Sequence, residues 1–144
     1  MKHFIWMICF GLIGFSACKT AQTTKNKSLT LTDKYWRLTT LNDLAISKDP
    51  AATREMHMIL KQEGLKINGN AGCNSFFGSF ELKADNGISF GKMGSTMMAC
   101  KDMQLESQFL EALTKANTYS IIGNQLTISK DNAVLAKFEG RGLR

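Results

Sequence analysis

The side chains best suited to covalent or soft-metal chemistry in this 144-residue chain are its four cysteines, two histidines and eight methionines. Cys9 lies inside an apolar run and Cys18 at its end, so Cys73 and Cys100 are the pair to weigh. A catalytic thiol needs a neighbouring base and a lowered pKa. Cys100 stands just ahead of a predicted helix N-terminus, which favours a thiolate. The only histidine after the first apolar run is His57, on a predicted strand and on the face opposite Met56 and Met58. No Ser/His/Asp arrangement is readable. Met93, Met97, Met98, Cys100 and Met103 crowd one stretch, and thioethers with thiolates select Cu(I). Against that, methionine commonly fills irregular core gaps, and strand alternation sends Met97 and Met98 to opposite faces. Cys73 and Cys100 are not a Cys-x-x-Cys pair, so dithiol shuttling is not indicated. The expectation is a protein that is not an enzyme, with no metal and no cofactor. Cu(I) or thiol-redox sensing by the Cys/Met cluster is the alternative.

The first segment bears on the cysteines. Lys2 and His3 precede an apolar run from Phe4 to Phe15, and Phe15-Ser16-Ala17-Cys18 follows. This is the pattern of a secretory signal. The run is a dozen residues, short of the roughly 20 that span a bilayer. Its end resembles a bacterial lipobox, with Phe15 in place of the usual Leu. The resemblance implies a signal peptide over residues 1–17 and lipidation of Cys18. Residues 18–28 carry no apolar side chain larger than Ala beyond that cysteine and read as a flexible tether. Cys73 and Cys100 then remain in an exported, oxidising compartment, where a structural disulfide is the expectation and two buried thiols the alternative. It would close a 27-residue loop (100 − 73).

The net charge of +6 does not indicate nucleic acid. Residues 29–140 hold 12 Lys+Arg and 12 Asp+Glu, and the excess lies in Lys2, Lys19, Lys25, Lys27, Arg141 and Arg144. The implied partners are the membrane, through lipid on Cys18, and an envelope protein. Nucleic acid is not among them.

The elements that position the cysteine stretch read as follows. A first strand over Asp33 to Leu41 is anchored by Trp36, and Asn42 to Pro50 is a loop. Met56, Met58 and Leu60 alternate on a strand that turns at Gln62-Glu63-Gly64, and Leu65 and Ile67 begin the return. Asn70 and Asn74 flank a Gly72-Cys73 turn, where their side chains would bond their own backbone. With Ser75 and Phe77 they would otherwise form a recognition surface. Phe76, Gly78, Phe80 and Leu82 share one face of the next strand, with Gly78 a bulge or close-approach point. Asp85-Asn86-Gly87 is a hairpin turn, followed by Ile88 and Phe90, a Gly91–Gly94 kink and a short strand over Ser95 to Ala99. Asp102 to Asn117 is the one helix, with Asp102 as N-cap. Its apolar stripe is Leu105, Phe109, Ala112, Leu113 and Ala116, and Glu106 and Glu111 are placed outside. A meander closes the chain. Tyr119 and Ile121, Leu126 and Ile128, then Val134, Ala136 and Phe138 are separated by Gly123-Asn124 and Asp131-Asn132 turns. The fold class is α+β, mostly antiparallel β. About eight short strands form a curved or barrel-like sheet with one helix over residues 102–117.

Trp36-Arg37-Leu38, the run Ile67 to Phe80 with its Gly69, Gly72-Cys73-Asn74, Phe76 and Gly78, and Thr96-Met97-Met98-Ala99-Cys100 together resemble the META-domain, or heat-shock HslJ-like, family of lipoproteins. Glu106, Phe109, Leu113, Tyr119 and Leu126 fit its helix and closing strands. The resemblance covers the domain at residues 29–140, leaving 141–144 as a tail. It implies a compact α+β domain in the bacterial envelope, commonly at the outer membrane of Gram-negative cells. It also implies a link to stress tolerance, including heat, and supplies no catalytic residues.

Overall fold

The computed structural model describes residues 30–47, 54–100 and 103–143. Cys18, the segment before it, the tether, Pro50 and Asp102 lie outside the described residues. Eight antiparallel strands close on themselves: β1 (Tyr35–Leu41), β3 (His57–Lys61), β4 (Lys66–Asn70), β5 (Ser75–Lys83), β6 (Gly87–Phe90), β8 (Thr118–Ile122), β9 (Gln125–Lys130) and β10 (Ala133–Arg141). Strand β10 pairs back onto β1, with Tyr35 opposite Arg141 and Leu38 opposite Phe138. Two short strands lie beside this barrel: β2 (Leu44–Ala45) against β1 and β7 (Gly94–Ser95) against β5. β2 falls within the segment read from sequence as loop, and β7 shares only Ser95 with the strand expected over Ser95 to Ala99. Strand β10 runs through Arg141, so the tail begins one residue later than expected.

Alternation explains most of the barrel. Trp36 and Leu38 on β1, Met58 and Leu60 on β3, Phe76 and Phe80 on β5, and Leu126 and Ile128 on β9 all point inward and are buried. The indole N–H of Trp36 donates to the Leu31 carbonyl at 2.8 Å, so its one polar atom is satisfied in the core. Asp85 and Asn86 take φ of 56° and 57°, the left-handed pair that a tight β5–β6 hairpin needs. Three expected core positions fail for local reasons. Leu82 stands one residue from the end of β5, beside the hairpin turn, and is exposed. Leu65 sits at φ 47° inside the β3–β4 turn and is exposed, so the return strand starts one residue later. A bulge between Val134 and Ala136 breaks the alternation of β10 and leaves Val134 partly in solvent.

The single helix among the described residues, α1 (Gln104–Lys115), plugs the barrel. Phe109 and Leu113 are fully buried and Ala112 nearly so. The Phe109 ring meets Phe76 edge-on at 5.7 Å between centroids and lies 6.0 Å from Phe138. The N-cap position belongs to Met103 and makes no side-chain cap bond, in place of the expected Asp102. Glu111 is outside, paired with Lys115 at 2.5 Å.

Strand directions give the barrel two distinct poles. The entry to β1, the β3–β4, β5–β6 and β8–β9 turns and the end of β10 share one pole. The β4–β5 turn with Cys73, the β9–β10 turn and the start of α1 share the other. The chain preceding β1 therefore arrives at the pole opposite Cys73. Truncating Phe109→Ala should remove the plug and lower unfolding free energy by about 3–5 kcal/mol, read as a lower urea midpoint with an unchanged slope.

Candidate functional site

The cysteine-bearing segments meet at the second pole. Cys73 and Cys100 are joined as a disulfide with their Cα atoms 6.2 Å apart. While that bond holds, neither sulfur offers a thiolate to a metal or an electrophile. His57 is remote in role as well as sequence. Its ring stacks on Tyr35 at 4.3 Å, and its Nδ1 lies 2.9 Å from the Glu55 carbonyl oxygen.

Beside the disulfide lies a polar network centred on Asn74, which is 1% exposed. Its backbone N–H donates to Glu106 Oε2 at 2.8 Å, and its Nδ2 donates to Glu106 Oε1 at 2.9 Å. Its Oδ1 accepts from Thr96 Oγ1 at 2.7 Å and from the Met98 N–H at 2.8 Å. The same Nδ2 also reaches the Met98 carbonyl at 3.2 Å. One side-chain amide therefore binds both the N–H and the C=O of Met98, as an adjacent strand would. Three segments, the β4–β5 turn, the stretch after β7 and the first turn of α1, are held by this one residue.

Glu106 is buried at 5% exposure, not placed outside as the sequence reading had it. The spacing carried the signal. Glu106, Phe109 and Leu113 are separated by three and four residues and so share one helix face. A buried carboxylate needs strong partners, and the two donors of Asn74 supply them. Asn70 behaves as expected, with Oδ1 accepting from the Gly72 N–H at 2.9 Å. Neither asparagine presents a recognition surface, because both are buried.

The remaining singled-out residues are placed by sterics. A Cβ on Gly69 would overlap the Phe76 ring, 2.8 Å away, and the His57 carbonyl. Gly72 has φ of 111°, which suits a residue without a side chain. Gly78 lies in regular register opposite Ile67, so it is a close-approach point and not a bulge. Met93 Cγ and the Lys92 carbonyl crowd its missing Cβ at 3.0 and 3.1 Å. Met97 alone among them has no packing task, at 98% exposure. Phe77 at 61%, Met98 at 50% and Met103 at 38% exposure also stand in solvent. Met97 and Met98 do so on a framework fixed by the disulfide and Asn74.

A second polar cluster occupies the outer face of β1, β3 and β10. Arg37 is 5% exposed, and its Nη2 holds Glu139 Oε2 at 2.6 Å. Glu55 accepts from the Tyr35 hydroxyl at 2.9 Å and from Arg141 at 3.3 Å. Burial, and then the adjacent Glu55 carboxylate, push the Tyr35 phenol well above its usual range. The groove beside Arg37 is about 580 Å³, walled by Thr39, Ile122, Gln125 and Glu139. It contains no nucleophile paired with a base.

A family model of the META domain matches residues 29–141. An NMR structure of a protein from Burkholderia xenovorans is 30% identical, with a TM-score of 0.62 over 77% of this chain and 83% of that one. Another NMR structure is 20% identical, with a TM-score of 0.58 over 79% and 93% of the two chains. A DUF4847 family protein from Bacteroides vulgatus is 13% identical, with a TM-score of 0.55 over 78% and 96%. The last two share the fold. No curated protein matches the chain.

Two stability measurements probe these clusters. Asn74→Asp would set a second carboxylate against Glu106 and should cost about 3–5 kcal/mol, the range for an uncompensated buried charge. Glu106→Gln, which keeps one acceptor, should cost about 1–3 kcal/mol. In the outer cluster, the unfolded Tyr35 ionises near pH 10 while the folded one resists. Its stabilisation is complete below that pH and declines as pH rises toward the higher folded value. Tyr35→Phe should therefore flatten the alkaline fall in melting temperature.

Proposed function

Since the chain belongs to the META-domain family, we propose that it is an exported, lipid-anchored envelope domain that works by holding a polypeptide partner and catalyses no reaction. The observation that carries this reading is the set of apolar side chains Phe77, Met97, Met98 and Met103 in solvent. It sits on the most cross-linked part of the barrel, where exposing apolar surface has no structural purpose. Methionine suits such a surface, because an unbranched, polarisable side chain adapts to partners of varied shape. The lipobox-like Phe15-Ser16-Ala17-Cys18 supports an anchor at Cys18. The chain enters the domain at the pole away from Cys73, so an anchored domain would present these side chains away from its membrane. The heat-shock link implied by the family resemblance makes envelope stability under stress the fitting role, at the outer membrane.

The test is chemical crosslinking and recovery of the full chain from heat-stressed cells. Phe77→Ser with Met97→Ser should lose the recovered partners while shifting stability by no more than about 0.5 kcal/mol, as exposed substitutions do. Recovery of the same partners by this variant would sink the reading.

A further inference from the structure

The hydrogen bonds around β7 define an open strand edge. Ser95 stands opposite Phe76 and Gly94 opposite Phe77 on β5. The Thr96 N–H donates inward to the Ser75 carbonyl at 3.0 Å. The Met98 N–H and C=O both turn inward to the Asn74 amide. Backbone groups alternate along an extended chain. Gly94, Thr96 and Met98 therefore face β5 and Asn74, while the N–H and C=O of Ser95 and Met97 face outward. Among the described residues, strand β7 has β5 as its one strand partner. Asn74 thus lengthens a two-residue strand into a five-residue extended edge, Gly94 to Met98.

Natural sheet edges are blunted by charge, proline, bulges or shortness. The run Gly94-Ser95-Thr96-Met97-Met98-Ala99 has no charged residue and no proline. The Asn74 amide has removed the protection that shortness would give. Phe77 lies across Gly94, with its Cζ 2.9 Å from where a Cβ would stand, so an aromatic face borders this edge.

We propose that the Gly94–Met98 edge takes up an extended, uncharged segment of another polypeptide by strand addition. Main-chain bonds would form to Ser95 and Met97, and apolar side chains of the incoming segment would rest on Phe77 and Met98 on one face and on Met97 on the other. This rests on the partner-binding reading above and names the mode and class of partner. The geometry of the anchor argues against a second copy as the occupant. Two copies of this edge pairing antiparallel about a two-fold axis would point their barrel entries in opposite directions. An 11-residue linker, the length of residues 18–28, would span about 17–20 Å as a random coil. A strand the length of β5, nine residues, already extends about 30 Å.

The experiment titrates the full chain with a capped eight-residue alternating Thr/Val peptide, following the Ser95 and Met97 amide resonances and the affinity. The same peptide N-methylated on two consecutive central amides, which blocks both of its edges, should bind at least about tenfold more weakly. Met97→Pro removes one outward N–H at an edge position that tolerates proline, and it should weaken the parent peptide by a similar factor. Met97→Ala keeps the N–H and should weaken it only about two- to threefold. Equal binding of methylated and parent peptides, or full binding by Met97→Pro, overturns strand addition. The partner-binding reading would still stand if the Phe77→Ser, Met97→Ser variant loses its recovered partners. No binding of the parent peptide also overturns strand addition, and a dimer that Met97→Pro dissociates would instead make the edge a self-association surface.

Discussion

The contact between Asn74 and Glu106 organises the second pole of this barrel. A carboxylate buried on the helix face has to be met by donors, and among the described residues the backbone and side-chain amide nitrogens of Asn74 supply them. That requirement fixes where α1 begins relative to the β4–β5 turn. Once the helix is placed there, Phe109 enters the barrel between Phe76 and Phe138. The disulfide then closes a second link between the same turn and the approach to the helix. Charge, hydrogen bonding and covalent chemistry thus act on one small region, and the hydrophobic core is aligned by it.

Much of this was legible in the sequence. Period-two alternation located the barrel strands, and paired left-handed residues such as Asp85-Asn86 located the turns, because both signals are local. The Cys73–Cys100 link followed from compartment and count. What escaped was non-local. The burial of Glu106 depends on Asn74, 32 positions earlier, and only the three-and-four spacing with Phe109 and Leu113 hinted at it. The exposure of Val134 depends on a bulge set by pairing with β9. Asn74 was read as bonding its own turn, which Asn70 does. That Asn74 instead stands in for a strand opposite Met98 requires knowing that the two segments meet.

The glycines show how a signature can be structural without being catalytic. Gly69 marks a place where a carbonyl and an aromatic ring leave no room for a side chain, and Gly72 one where a positive φ suits a residue without one. The framework they permit carries Met97, whose side chain serves no core. Rigidity and exposure occur together here: the segment bonded on its inner side by β5 and Asn74 offers apolar side chains and outward-facing peptide groups on its outer side. A flexible loop with the same residues would lose more entropy on binding.

The pairing of Tyr35 with Arg141 carries one more consequence. The first and last strands are neighbours, so the domain's two chain ends leave the barrel side by side, separated by about one strand spacing of 5 Å. A unit closed in this way interrupts a host polypeptide very little. It can be spliced into a surface loop, strung in tandem or circularly permuted without reopening its core. The architecture is therefore portable between proteins, and a fusion placed after Arg141 would emerge next to the start of β1.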